Sequence, residues 1–89
     1  MAKVVFTPNI QRHVLCPEAK AAGQTVREVL EKVFSENSQV RNYIFDDQHG
    51  LRKHMTIFVD GQMIRDRAKL SDPVAETSTI YVLQALSGG

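Results

Sequence analysis

The chain has 89 residues, of which 43% are hydrophobic and 24% are charged. A chain of this length buries one modest hydrophobic core, so we expect a single compact domain, and this composition argues against disorder and collagen-like repeats. Eleven Lys and Arg against ten Asp and Glu give a formal net charge of +1. Because the two signs are interspersed, we expect neither nucleic acid nor a membrane surface among the partners.

Two short runs of β-branched and aromatic residues open the chain. Residues 4–6 form the first run and residues 13–16 the second, and a proline follows each, which predicts two strands joined by a turn around the first proline. On such a strand His13 and Cys16 would point to opposite faces. We therefore predict a structural role for Cys16, rather than that of a nucleophile.

The cysteine and histidine content limits the chemistry that the chain can carry out. Cys16 is the only cysteine, so the chain can form neither an internal disulfide nor a zinc site with two thiolates. The three histidines have no metal-ligand spacing, and we expect no metal site. No apolar run approaches the roughly 20 residues of a membrane span, and we see no signal peptide. These features predict a cytoplasmic protein.

The clearest local signal is a helix start at Thr25. Its hydroxyl can accept a hydrogen bond from the amide of Glu28, whose carboxylate can reach back to the amide of Thr25, and this pattern is a capping box. Apolar residues then recur with helical spacing, at Val26, Val29, Leu30, Val33 and Phe34. We predict a helix over residues 26–36 that buries this face and exposes Arg27, Glu31 and Lys32. Residues 17–23 are predicted to be a connection.

The second half of the chain predicts a hairpin and a last strand. Residues 40–45 fit either a short strand or a turn of helix, and residues 46–50 are typical of a turn. The dipeptide Asp60-Gly61 suits a type I′ turn between strands at residues 55–59 and 63–64. After a polar connection over residues 65–76, alternation in the strand at residues 79–83 places Ile80 and Val82 on one face, and Tyr81 and Leu83 on the other.

This order of elements predicts an α+β fold, with a mixed sheet of four to five strands packed on one main helix. If the helix crosses over after the first hairpin, the first and last strands can pair side by side as a parallel central pair. That arrangement is the β-grasp fold of ubiquitin. We predict a β-grasp domain over residues 1–84, followed by a flexible tail over residues 85–89.

The tail ends in Gly88 and Gly89. Two glycines form the narrowest peptide that can carry a carboxylate into the active site of another protein. A frayed chain end has the same composition. The tail by itself therefore does not decide between these two interpretations.

The whole chain resembles the ubiquitin-like sulfur carrier family, which includes the small subunit of molybdopterin synthase and the sulfur carriers of thiamine and cysteine synthesis. The segments that carry the resemblance are residues 4–8 (VVFTP), 25–30 (TVREVL), 57–61 (IFVDG) and 80–89 (IYVLQALSGG). Residues 51–54 look most like the cysteine-synthesis branch. The chain differs from many members at Gln84-Ala85, where they have proline.

The resemblance implies a carrier and not an enzyme. Its reactive group would be the carboxylate of Gly89, at the end of a tail formed by Leu86, Ser87 and Gly88. A partner similar to the ubiquitin-activating enzymes would adenylate this carboxylate with ATP and magnesium, and a sulfur nucleophile would convert it to a thiocarboxylate. A biosynthetic enzyme would accept the sulfur, in molybdopterin, thiamine or cysteine synthesis. The carrier itself would bind no cofactor.

The partners require a docking surface, and two patterns suggest one. Tyr81 and Leu83 are predicted on the sheet face away from the helix, where polar residues are usual, and the resemblance implies that Met63 and Leu83 match contacts to the activating enzyme. We expect these three side chains to form an exposed apolar patch. A second pattern is a basic strip, although interleaved acidic residues favour a solvated face there; its members are Arg52, Lys53, Arg65, Arg67 and Lys69.

Two other functions fit the same sequence. A ubiquitin-like modifier would be joined through Gly89 to lysines of target proteins. A β-grasp interaction domain would carry its two terminal glycines without using them. Adducts that survive denaturation would identify the modifier, and full function without Gly88 and Gly89 would identify the interaction domain.

Overall fold

The computed structural model describes residues 1–84, and the predicted tail over residues 85–89 lies outside the described residues. The elements in chain order are β1 (Ala2–Phe6), α1 (Pro8–Gln11), β2 (Ala19–Ala21), α2 (Val26–Phe34), α3 (Ser38–Ile44), β3 (Met55–Val59), β4 (Gln62–Met63) and β5 (Thr79–Gln84). The strands form one sheet in the order β2-β1-β5-β3-β4. No helix within residues 1–84 has the length and apolar character to cross a membrane.

The pairing of the strands confirms the predicted β-grasp fold. β1 and β5 run parallel at the centre of the sheet, while β2 pairs with β1, and β3 with both β4 and β5, in antiparallel fashion. The predicted parallel central pair is therefore present. One face of the sheet carries the helices and the core, and we call the opposite face the outer face.

The prediction for the second strand was wrong. Residues 13–16 form no strand, and β2 lies instead at Ala19–Ala21, inside the predicted connection. Pro8 begins α1 rather than a turn, because proline fits the first helical position, where its missing amide needs no partner. Alanine and lysine have low strand propensity, so β2 gave no local signal. Its strand state comes from pairing with β1 and packing against α2, which outweigh propensity.

The helix α2 confirms the predicted helix, two residues shorter at its C-terminal end. The hydroxyl of Thr25 accepts from the amide of Glu28 at 3.2 Å, as predicted. The carboxylate of Glu28 accepts from the amide of Gln24 at 3.1 Å, rather than from that of Thr25. The buried side chains of α2 pack on the inward residues of the sheet, which are Ala2, Val4, Phe6, Met55, Ile57, Ile80 and Val82.

Arg27 and Glu31 were predicted to face solvent, but they belong to a cluster that holds two loops against α2. Glu31 pairs with Arg41 of α3 at 3.0 Å, and the Arg27 and Arg41 guanidinium groups lie 5.1 and 5.4 Å from the centre of the Phe45 ring. The Arg27 guanidinium also donates to three backbone carbonyls, those of His49, Ala68 and Lys69, at 2.6 to 3.1 Å. Arg27 is therefore a structural residue.

The remaining elements lie within one residue of their predicted bounds where these were given: β4 begins one residue earlier than predicted and leaves out Ile64, and β5 includes Gln84. Residues 40–45, which fitted either a strand or a helical turn, fall largely in α3, capped by Asn37, whose side chain accepts from the amide of Val40 at 3.3 Å. The hairpin turns at Asp60 and Gly61, with φ angles of 50° and 87°. Both values are positive, as a type I′ turn requires. Residues 65–76 form the predicted connection.

The Asp60 carboxylate fastens the hairpin to the start of β5. It accepts from the amide of Thr79 at 2.9 Å and from the hydroxyl of Ser78 at 2.8 Å. These two hydrogen bonds favour the charged form, so they hold the pKa of Asp60 below its ordinary value. A carboxyl whose pKa is lower in the folded state stabilises the fold above its unfolded pKa, and that contribution is lost as the pH falls through the folded pKa.

Replacement of Asp60 by Asn removes the negative charge of the side chain and keeps its size, so it tests how much the charge contributes to stability. Asn keeps an acceptor oxygen and tolerates the positive φ angle, so at neutral pH Asp60→Asn should lower the free energy of unfolding, measured by urea titration. The deficit should shrink as the pH falls through the pKa of Asp60, because protonation then removes the same charge from the wild type. A deficit that stays constant with pH would show that the charge is not responsible.

Candidate functional site

A row of apolar side chains crosses the outer face of the sheet. Strand pairing places Val5 beside Tyr81, and Tyr81 beside Phe58. Phe58 in turn pairs with Met63 at the edge of the sheet. Directly paired residues lie on the same face of a sheet, with Cβ atoms about 4.5–5.5 Å apart. The four side chains, Val5, Tyr81, Phe58 and Met63, therefore form a continuous line, which we call the outer apolar row.

The outer apolar row is open to solvent. Met63 is 59% exposed and Tyr81 43% exposed, and Val5 and Phe58 are half-buried. Leu83 is half-buried one row further along β5, where it pairs with Thr56. The structure thus places the three residues of the predicted patch, Met63, Tyr81 and Leu83, on the outer face, with Leu83 outside the row. A contiguous apolar surface at this position is typical of an interaction site.

Sequence reasoning missed two residues of this surface, Val5 at one end of the row and Phe58 within it. Phe58 and Val5 lie within uninterrupted apolar runs, so no polar alternation shows which of their residues face outward. The signal that could have identified them is the alternation of side chains between the two faces of a strand. Ile57 and Val4 are fully buried, and their chain neighbours Phe58 and Val5 must point to the opposite face of the sheet.

The basic residues form a different pattern from the predicted strip. The Arg67 guanidinium donates to the backbone carbonyls of Arg52 and Lys53, at 2.9 and 3.4 Å, so it fastens a loop rather than facing a partner. A basic pair lies instead on the outer face, where Lys3 of β1 is directly opposite Lys20 of β2. Lys3 also forms an ion pair with Glu18 at 3.6 Å, so one charge of this basic pair has an acidic partner.

Cys16 is buried, which supports the predicted structural role, although residues 13–16 do not form the strand on which that prediction was based. Its side chain is 3% exposed, and burial raises the pKa of the thiol, which disfavours the nucleophilic thiolate. His13 does not share a strand with it; the His13 ring stacks on Tyr43, with ring centres 5.8 Å apart. Residues 1–84 contain no group of three His, Cys, Asp or Glu side chains arranged to hold a metal.

The strand β5 leads from this surface toward the end of the chain. Its last residue is Gln84, which pairs with Met55 of β3. The predicted reactive residue Gly89 lies outside the described residues, as do the other predicted tail residues, Leu86, Ser87 and Gly88. The structure therefore locates the candidate docking surface, and it describes the strand that leads toward Gly89 as far as Gln84.

The comparison with protein families covers most of the chain. A family model described as the ThiS family matches residues 14–89. The chain belongs to the ThiS family. The match includes α2, the hairpin and β5, together with the diglycine that ends the sequence. No curated protein matches this ThiS-family chain.

Solved structures share the fold of this ThiS-family protein. A chain of the Amycolatopsis orientalis BexX/CysO complex is 21% identical, with 100% of both chains covered and a TM-score of 0.82. Small archaeal modifier protein 1 from Methanosarcina acetivorans is 23% identical, with 99% of this chain and 95% of that chain covered and a TM-score of 0.80. CysO from Mycobacterium tuberculosis is 18% identical, with coverage of 97% and 100% and a TM-score of 0.79. At these identities the likeness establishes the fold.

Proposed function

We propose that this ThiS-family protein is a sulfur carrier, whose Gly89 carboxylate is adenylated by a partner enzyme and then converted to a thiocarboxylate. The observation that carries the proposal is the extent of the family match, which continues through Gly88 and Gly89. The fold supports it as well. β5 is the central strand of the sheet and leads directly into residue 85, so the chain toward Gly89 continues from a strand that is paired on both sides through Val82.

The proposed chemistry activates a group that is otherwise unreactive. A carboxylate repels nucleophiles because it is negatively charged. In the partner's site an oxygen of the Gly89 carboxylate bonds to the α-phosphorus of ATP, and pyrophosphate leaves; magnesium neutralises the phosphate charge. A sulfur nucleophile then attacks the carbonyl carbon, AMP leaves, and the carbon keeps the sulfur. ATP, magnesium and the catalytic groups belong to the partner, so the carrier is a co-substrate and not an enzyme.

The outer apolar row, together with Leu83, is the surface on which we place the adenylating partner. It lies on β5, the strand that leads to the reactive end, so a partner bound there is close to the start of the tail. Apolar and aromatic side chains at the centre of an interface contribute most of its binding energy. The thiocarboxylate is then transferred to a sulfur-accepting enzyme of molybdopterin, thiamine or cysteine synthesis.

A charge on this surface is expected to block docking. Leu83→Glu places a carboxylate where the interface would remove it from water, so the dissociation constant for the adenylating enzyme, measured by calorimetry, should rise by about 30-fold or more, which corresponds to ~2 kcal/mol. Leu15→Glu is the matched control, because Leu15 is 80% exposed and lies in the loop after α1. Equal affinities of the two variants, with equal melting temperatures, would remove the patch from the proposal.

The proposed function is tested by intact mass after incubation with a candidate adenylating enzyme, ATP, magnesium and a sulfide donor. Replacement of a carboxylate oxygen by sulfur gives a discrete increase in mass, located on the C-terminal peptide. Isopeptide-linked adducts that survive denaturing purification would instead identify a ubiquitin-like modifier. A protein that gives neither product would be a β-grasp interaction domain.

A further inference from the structure

The last residue of β5 is held by a side chain from α3. The Tyr43 hydroxyl donates to the side-chain oxygen Oε1 of Gln84 at 2.7 Å. Gln84 continues the alternation of Ile80 and Val82 along β5, so its side chain lies on the inner face of the sheet, where the helices pack. Both bonded residues are half-buried, and reduced contact with water strengthens a hydrogen bond between them.

The backbone of β5 has no ladder hydrogen bond to β3 at Gln84. The Asp60 amide donates to the Thr79 carbonyl at 3.0 Å, and this bond sets the alternation of the β3–β5 ladder. Antiparallel ladders alternate between hydrogen-bonded and non-hydrogen-bonded pairs. Counted along the register, the pair of Met55 and Gln84 is non-hydrogen-bonded. The backbone of Gln84 therefore points toward β1.

On that side β1 has already ended. The Thr7 amide donates to the Val82 carbonyl at 3.1 Å, and the chain then turns into α1, where the Thr7 carbonyl accepts instead from the amides of Ile10 and Gln11. The end of β5 thus extends beyond its parallel neighbour. A strand end without ladder bonds is expected to fray, and the bond from Tyr43 is placed where it prevents this.

Tyr43 is a rigid donor. Its ring packs against the core, and on the chain beside it Ile44 is fully buried. The His13 ring stacks on it with an angle of 24° between the planes. Because these contacts restrict the ring, the hydroxyl is held in place before it bonds Gln84, and little further side-chain entropy is lost when the bond forms.

We propose that Tyr43, supported by His13, is a positioning residue that fixes Gln84, and with it the starting point of the chain that continues to Gly89. The inference rests on the proposed function, since it concerns delivery of Gly89 to the adenylating enzyme. A partner that binds a pre-ordered segment loses less conformational entropy than one that must order it. Loss of the bond therefore weakens productive binding and leaves the chemical step unchanged.

The test is Tyr43→Phe, which removes the hydroxyl and keeps the ring. By NMR hydrogen exchange, the Leu83 amide should exchange about two- to tenfold faster relative to the Ile80 amide, as expected for the loss of one hydrogen bond. In the adenylation assay, KM for the carrier should rise by a similar factor while kcat stays constant. Tyr81→Phe is the control for exchange, because it removes the same atom from the outer face and should leave the Leu83 amide unchanged.

Two variants of the acceptor complete the test. Gln84→Glu keeps an acceptor oxygen, so it should retain the wild-type exchange ratio and KM. Gln84→Leu should reproduce Tyr43→Phe, and the double variant should add nothing further, because both changes remove the same bond. Faster exchange with an unchanged KM overturns the positioning role, as does unchanged exchange. A wild-type protein that no enzyme adenylates overturns the proposed function, and the exchange ratio reports on the bond separately.

Discussion

Deletion of Gly89 is expected to abolish thiocarboxylate formation while leaving the free energy of unfolding unchanged. The shortened chain ends one residue, roughly 3.5 Å, short of its normal reach, so its carboxylate cannot arrive at the α-phosphorus of ATP, and catalysis is sensitive to displacements of about 1 Å. We expect stability to be unaffected because Gly89 has no side chain to bury, and within residues 1–84 the last buried core residue is Val82. The measurements are ATP-dependent adenylation and sulfuration by mass spectrometry, with urea titration of the same samples.

Gly88→Ala tests whether the partner requires a tail without side chains, independently of the length of the tail. It keeps the length of the chain and adds one methyl group, so a loss of sulfuration in this variant shows that the partner's passage admits no side chain. An extra residue after Gly89 converts the Gly89 carboxyl group to a peptide bond. We expect this extended protein to be as inactive in sulfuration as the deletion variant. If the shortened protein acquires sulfur at its C-terminus with normal yield, the sulfur-carrier proposal gives way to the interaction domain.

Leu30→Ala is expected to destabilise the protein by about 2–5 kcal/mol. Leu30 is fully buried on α2, and alanine has the highest helix propensity, so the loss comes from packing and not from the helix itself. Domains of this kind have a total stability of about 5–15 kcal/mol, so the variant loses a large fraction of it. Lys32→Ala is the control on the exposed side of α2. A Leu30→Ala variant as stable as wild type in urea would contradict the packing of α2 described above.

The elements that could be predicted have local causes. The cap at Thr25 and the apolar stripe after it identify α2, because helix formation depends on neighbours three and four residues away. The dipeptide Asp60-Gly61 identifies the hairpin, because few residues adopt positive φ angles. The alternation around Ile80 identifies β5 and the face on which Tyr81 lies.

The elements that could not be predicted have distant causes. β2 is a strand because β1 lies beside it, and its alanines give no indication of this. Arg27 has the spacing of a solvent-facing helical residue, yet two loops distant in sequence bring their carbonyls to its guanidinium. Phe58 was missed for a similar reason, since only the pairing of three strands shows that it joins Tyr81 to Met63. The roles of Gly88 and Gly89 remain predictions.

The parallel pairing of β1 with β5 also determines when this protein can fold. The contacts that complete the sheet join segments from opposite ends of the sequence, and such non-local contacts carry a large loop-closure cost and slow folding. During synthesis β1 has only the three residues of β2 beside it until β5 is made. Over that interval α2 and β3 lack the β5 side chains Ile80 and Val82, which share their core in the folded protein, and apolar surface that is incompletely buried is prone to aggregation. Mutations that weaken β5 should therefore lower the yield of folded protein in cells more than its stability once folded.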